Sequence, residues 1–193
     1  MNKNRLEAFS DGVLAIIITI MVLELKIPSG TDWDSIKPLL ATFGSYLLSF
    51  AYIGIYWGNH HHLLHTAHRV NGKIMWANLH LLFWLSLVPF TTRWIGESNF
   101  SPVAVAVYGS VLVLASIAFR ILALNIVKSQ TSVSELAKVF HKTDIKAKIS
   151  SVLYIASIPL AFVHPAISCA IYVAVAAIWI IPNKEVEKLL EKE

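Results

Sequence analysis

Phe9 to Ile27 reads FSDGVLAIIITIMVLELKI, and this stretch decides the fold. It is apolar enough to enter a bilayer, yet it opens with Ser10-Asp11 and closes with Glu24 and Lys26. Its many β-branched residues would suit a strand in water. In lipid every backbone N–H and C=O must be satisfied inside the segment, so a lone span has to be helical. Wound as a helix, the stretch places Ile16, Ile20 and Leu23 on one face, at spacings of four and three. Acids in such a helix are costly and persist where they face a bundle interior, a cavity or a pathway.

The rest of the chain repeats this character. Of 193 residues, 56% are hydrophobic and only 15% charged, with a mean hydropathy of +0.62. A soluble domain is about 25% charged. The apolar residues come in blocks, which predicts an all-α integral membrane protein with six transmembrane helices, near Leu6–Ile27, Ile36–Thr66, Lys73–Trp94, Pro102–Val127, Ile145–Val163 and Ala166–Ile181. A span takes about 17 to 25 residues. The second block is longer, so its histidine-rich end should project past the hydrocarbon or line the bundle. The run from Ile149 to Ile181 would be about 50 Å as one helix, too long for a single crossing, and His164-Pro165 offers a tight break. Pro28-Ser29-Gly30 closes the first span and Thr31-Asp32 can start the next.

MNKNRLEAFSDG lacks the pattern of a signal peptide, so the first span is expected to be retained. Lysines and arginines then orient the chain. With the amino terminus inside, Lys3, Arg5, Arg69, Lys73, Lys128, Lys138, Lys142, Lys146, Lys148, Lys184, Lys188 and Lys192 fall on the inner side. Only Lys26, Lys37 and Arg93 fall outside, and Arg120 lies within the fourth span, where it can snorkel inward. Both termini should be cytoplasmic. Trp33, Trp94 and Trp179 sit near span ends, as interfacial rings do. Residues 128–148 read as a polar loop able to form a short surface helix. The chain thus divides into a six-span unit, 1–182, and a charged cytoplasmic tail, 183–193. The net charge of +4 follows from inner-loop lysines and arginines and does not point to nucleic acid. A single cysteine, Cys169, excludes a disulfide framework and a cysteine metal site.

Arg5, Phe9, Ser10 and Asp11 form the first constellation. Arg5 and Phe9 share a helical face, while Asp11 points elsewhere, either to partners on neighbouring spans or to solvent at the membrane boundary. Arg5-x-x-x-Phe9-Ser10-Asp11 followed by an apolar helix resembles the signature of the transmembrane protein 175 family, potassium channels of endolysosomal membranes and of bacteria. Tyr56-Trp57-x-x-His60-His61 in the second span and Pro89-Phe90 in the third also fit. One six-span unit, where animal members carry two, implies the bacterial type and a place in the bacterial inner membrane.

The resemblance implies a homotetramer whose first helices line a central pore, without a carbonyl filter loop; no TVGYG-like segment occurs here. It implies a passive, potassium-selective cation channel rather than an enzyme, whose partners are its own copies, the lipid bilayer and the permeant potassium ion, with no cofactor and no resident metal. Ile16, Ile20 and Leu23 match the constriction, and Thr19 could offer a hydroxyl to a partly dehydrated cation. Glu24 could concentrate cations at the outer mouth, or pair with Lys26 or Lys37 and lose that effect.

NHHHLLHTAHRVN supplies His60, His61, His62, His65 and His68. His61, His65 and His68 recur at i, i+4 and i+7, a spacing able to bind a transition metal. His80 adds an imidazole in the third span, but no carboxylates complete a hydrolase or di-iron site. The family resemblance instead makes one or two of His60, His61 and His80 partners of Ser10 and Asp11, a network that could respond to pH. The alternative to a channel is a histidine-centred proton-coupled or metal-ion transporter; a membrane metalloenzyme has too few ligands. Asn59, Asn71, Asn78 and Asn125 are expected to bond between helices or pack.

Overall fold

The computed structural model describes residues 2–67, 69–129 and 134–180, with only the backbone course between 134 and 144. The expected tail at 183–193 and His68 lie outside the described residues. Asn2 caps α1 (Lys3–Leu23), its side chain accepting from the N–H of Asn4. The helix ends earlier than its apolar run: Glu24 closes it, and Leu25 to Pro28 leave as irregular chain. Asp32 then caps a 3-10 turn (Trp33–Leu39), accepting from the Ser35 N–H at 3.0 Å. The Ser35 hydroxyl and N–H together hold the Asp32 carboxyl below the usual carboxylate range.

α2 (Leu40–His65) carries the histidine-rich end as its last turns. Asn71 starts α3 (Gly72–Ser86), accepting from the Ile74 N–H at 2.9 Å. The third apolar block is not one helix. Proline lacks an N–H and its ring clashes with the carbonyl four residues back, so Pro89 breaks the run and α4 (Val88–Glu97) follows at once. Asn99 and Phe100 take positive φ to turn the chain, and Ser101 with Pro102 opens α5 (Pro102–Lys128). The break expected near His164 is present, between α6 (Ser134–Val163) and α7 (Pro165–Ile180). Because α6 begins at Ser134, the surface helix expected within 128–148 is continuous with the fifth apolar segment.

Among the described residues, five segments are long and apolar enough to cross a membrane: α1, the 3-10 turn with α2, α3 with α4, α5, and the Ile145–Val163 part of α6. α7 is a shorter apolar helix. α5 is the centre of the fold and packs on α3, α4, α6 and α7, whereas α1 lies against α2, α3 and α4.

Without a hydrophobic drive between helices in lipid, close packing and interhelical hydrogen bonds hold a bundle together. Tyr52, Tyr108 and Tyr172 are buried between α2, α5 and α7, with Tyr154 of α6 beside them. Tyr52 donates to the Tyr172 carbonyl at 2.6 Å and accepts from Tyr154 at 3.1 Å, while Tyr172 donates to the Val105 carbonyl at 3.0 Å. These bonds end on backbone carbonyls, which makes the cluster polar cement between helices. Gly96 lets α4 come close to α2: a Cβ there would stand 2.6 Å from Thr42 Cα. Backbone cannot yield as a side-chain tip can. Gly96→Ala is expected to destabilise the bundle by about 1–3 kcal/mol, read as a lower melting temperature in detergent.

Candidate functional site

α1 has two unlike faces. Leu6, Ser10, Leu14, Ile17 and Met21 are buried against the bundle at helical spacing. On the opposite side Phe9, Ile16, Ile20 and Leu23 are uncovered, with Ile16 60% and Leu23 76% exposed. Thr19 shares this uncovered side and gives its hydroxyl proton to the Ala15 carbonyl at 2.9 Å. Its oxygen therefore remains an acceptor facing outward. An apolar groove of about 440 Å³ runs beside Ile16 and Ile20, closed across from them by Pro89 and Phe90 of α4.

The buried face is fixed by a chain of hydrogen bonds whose direction can be worked out from one end. The Ser10 hydroxyl donates to the Leu6 carbonyl at 2.8 Å, which commits its only proton. Ser10 Oγ must then accept from Asn78 Nδ2, at 2.9 Å. That leaves Asn78 Oδ1 as the acceptor for His60 Nε2, at 2.6 Å, and assigns the Nε2–H tautomer to the imidazole. Ser10, Asn78 and His60 are all buried, and His60 Nδ1 makes no hydrogen bond. Three helices, α1, α2 and α3, are thus joined through one relay.

A second seam runs along α1 and α2. Lys3 Nζ donates to the His65 carbonyl at 2.7 Å, Glu7 pairs with His61 Nδ1 at 2.9 Å, and Trp57 Nε1 donates to Asp11 Oδ1 at 3.0 Å. Each step of four along α1 is matched by a step of four back along α2. This is the register of two antiparallel helices, with rungs about 6 Å apart. Trp57 stacks on His61, with ring centroids 6.2 Å apart, and so ties two rungs together.

The expected members of the network are therefore distributed unevenly. His60 reaches Ser10 through Asn78, and His61 meets Glu7 rather than Ser10 or Asp11. His80 is exposed and accepts from Trp84 Nε1 at 2.9 Å; two residues beyond Asn78, it projects from the other side of α3. Arg5 is exposed, with Phe9 beside it on the uncovered side. Of the four asparagines expected to bond or pack between helices, Asn59 and Asn125 bond the carbonyls of their own helices, Asn71 caps α3, and Asn78 bonds to other helices. The His61 ring centroid lies 5.8 Å from that of His62 and 6.2 Å from that of His65, yet the described residues hold no cluster of histidine, cysteine and carboxylate groups arranged to bind a metal. At the other end of α1, Glu24 pairs with Arg93 of α4, while Lys26 pairs with Glu97 at 2.8 Å and Lys37 with Asp34 at 2.6 Å.

The chain as a whole resembles known proteins. Residues 5–89 match the family model described as endosomal/lysosomal potassium channel TMEM175. A potassium channel of Chryseobacterium is 52% identical over 192 residues, covering 100% of both chains. The chain belongs to the TMEM175 family. A Streptomyces collinus potassium channel is 33% identical over 181 residues, covering 88% of each chain. The crystal structure of a lysosomal potassium-selective channel TMEM175 homolog from Chamaesiphon minutus superposes with a TM-score of 0.73 at 27% identity, covering 92% of this chain and 96% of that one. This TMEM175-family chain is a multi-pass α-helical membrane protein, in line with its apolar helices.

Three residues of the site escape a reading of the family motif, Glu7, Asn78 and Arg93, and Trp57, which belongs to it, carries no sign of its bond to Asp11. Glu7 was recoverable, since it stands four before Asp11 and shares its side of the helix. Asn78 and Arg93 carry no local signal that names their partners on α1.

Proposed function

We propose that four copies of this chain form a potassium-selective channel in the bacterial inner membrane, with six spans per copy and both termini cytoplasmic. The first helix of each copy lines the pore. Ile16, Ile20 and Leu23 make the constriction, and Thr19 supplies an acceptor oxygen between them. The observation that carries this reading is the contrast on α1: polar contacts hold one face to the bundle, while a row of bulky aliphatic side chains stands uncovered on the other. The sequence relatives named above as potassium channels support the choice of ion.

The chemistry of passage is physical, with no bond made or broken and no cofactor required. A ring of aliphatic side chains excludes bulk water, so an ion crosses only by shedding part of its shell. Potassium holds its shell less tightly than sodium and loses less at that ring. Ser10 and Asp11, with His60 and His61, act at a distance from the ion: through Asn78, Trp57 and Glu7 they set the rotation and height of the lining helix.

The test is potassium flux from proteoliposomes, with sodium as control ion and the oligomer mass measured on the same preparation. Fast potassium-preferring flux from a tetramer is expected. Saturable flux that needs a proton or metal gradient would replace the channel with a histidine-centred transporter.

A further inference from the structure

We propose that Arg93 is a positioning residue at the outer end of the pore, tying the end of α1 to α4 and keeping the charge of Glu24 compensated. The proposal rests on the channel reading for its effect on conduction, though not for the tie itself.

Glu24 closes α1, its N–H bonded to the Ile20 carbonyl at 3.2 Å, and its carboxylate meets Arg93 Nη1. Arg93 Nε donates to Glu97 Oε1 at 3.1 Å, and Lys26 reaches the same oxygen at 2.8 Å. A guanidinium serves two carboxylates at once because its donors form a rigid fork; an ammonium is a single point of charge. The cluster joins the last turn of the lining helix and the segment after it to one face of α4. Two acids and two bases leave it without net charge. Glu24 and Arg93 also flank the outer end of the groove beside Ile16 and Ile20.

The consequence for conduction is specific. Four copies bring four Glu24 carboxylates to the outer end of the lining helices, where uncompensated acids would gather cations as acidic rings do. Arg93 cancels that charge copy by copy. It holds the helix end in place at the cost of a weaker pull on potassium from outside. Glu24 keeps a third of its side chain exposed and Arg93 about half, so water and salt reach the cluster and its field fades with ionic strength.

Two readouts on the full-length protein in nanodiscs and planar bilayers test this. The first is amide hydrogen exchange over residues 20–27; the second is inward potassium conductance at about 20 mM and about 1 M salt, where the screening length falls to about 3 Å. Arg93→Gln is expected to speed exchange about fivefold, since the tie that quiets the helix end is gone. It should also raise inward conductance roughly twofold at low salt, with no rise at high salt. Adding Glu24→Gln should keep exchange fast and return conductance toward the native value. Arg93→Lys keeps the charge and loses the fork, so it should speed exchange with a smaller rise in conductance; it also serves if Arg93→Gln does not assemble. Native exchange rates in both Arg93 variants would overturn the proposal, whatever the currents do. Fast exchange in a protein whose native form passes no potassium would leave the tie standing and remove the channel reading instead.

Discussion

A channel carrying Ile16→Asn is expected to pass sodium almost as readily as potassium. Ile16 is 60% exposed within its own chain, so the substitution removes little packing from the subunit, and stability should stay within about 1 kcal/mol of native. What changes is the ring. Four isoleucines present only hydrocarbon to an ion, and the penalty for stripping its shell then separates potassium from sodium. Four asparagines present carbonyl oxygens and amide protons that replace the lost water, and the penalty falls for both ions. A change of about 1.4 kcal/mol in the difference between them shifts the permeability ratio tenfold, and a loss of this order is expected. Reversal potentials under bi-ionic conditions read it directly. An unchanged potassium preference in a properly assembled Ile16→Asn tetramer would move the constriction off this ring.

Asn78→Leu is expected to cause the largest loss of stability among single changes at the site. The asparagine is fully buried and links Ser10 to His60. Leucine leaves the His60 Nε2–H without an acceptor and the Ser10 oxygen without a donor, in a place water does not reach. A buried group deprived of its partner costs about 1–3 kcal/mol, so about 2–4 kcal/mol is expected for the pair. Ser10→Ala loses the bond to the Leu6 carbonyl and leaves one buried donor, Asn78 Nδ2, without an acceptor, so it should cost less, about 1–2 kcal/mol. Thermal unfolding in detergent orders the two variants, and an inverted order would contradict the relay as drawn. Imidazole nitrogen shifts of His60 would report the Nε2–H tautomer independently. Because the relay sets the rotation of α1, Asn78→Leu should also lose potassium selectivity in whatever fraction still assembles.

These two expectations draw on different kinds of information. The aliphatic row was legible in FSDGVLAIIITIMVLELKI itself, because a helix of known pitch puts Ile16, Ile20 and Leu23 on one side wherever the chain is placed; that the bundle leaves this side uncovered was not. The apolar segments were legible for the same reason: matching a hydrocarbon layer is a matter of local length and composition, and Pro165 announces its break locally. Pro89 was visible too, yet it was read as part of a family pattern and not as the break that divides the third segment into α3 and α4.

The partners of α1 were a different matter. Ser10 meets Asn78 across 68 residues of sequence and Glu24 meets Arg93 across 69. Nothing in the composition around either residue distinguishes its partner from neighbours a residue or two away. His80 is two residues from Asn78, and a helix turns by more than half a circle over that interval, so the choice between them rests on the rotation of α3 alone. That rotation is set by every contact α3 makes with α1, α4 and α5 together. By itself the sequence determined that this chain is a bundle of membrane helices whose first helix bears a polar start and an aliphatic row. Only the tertiary structure decided that Asn78, Trp57, Glu7 and Arg93 hold that helix, because pairing between helices depends on their mutual rotation and register, and no single helix encodes those.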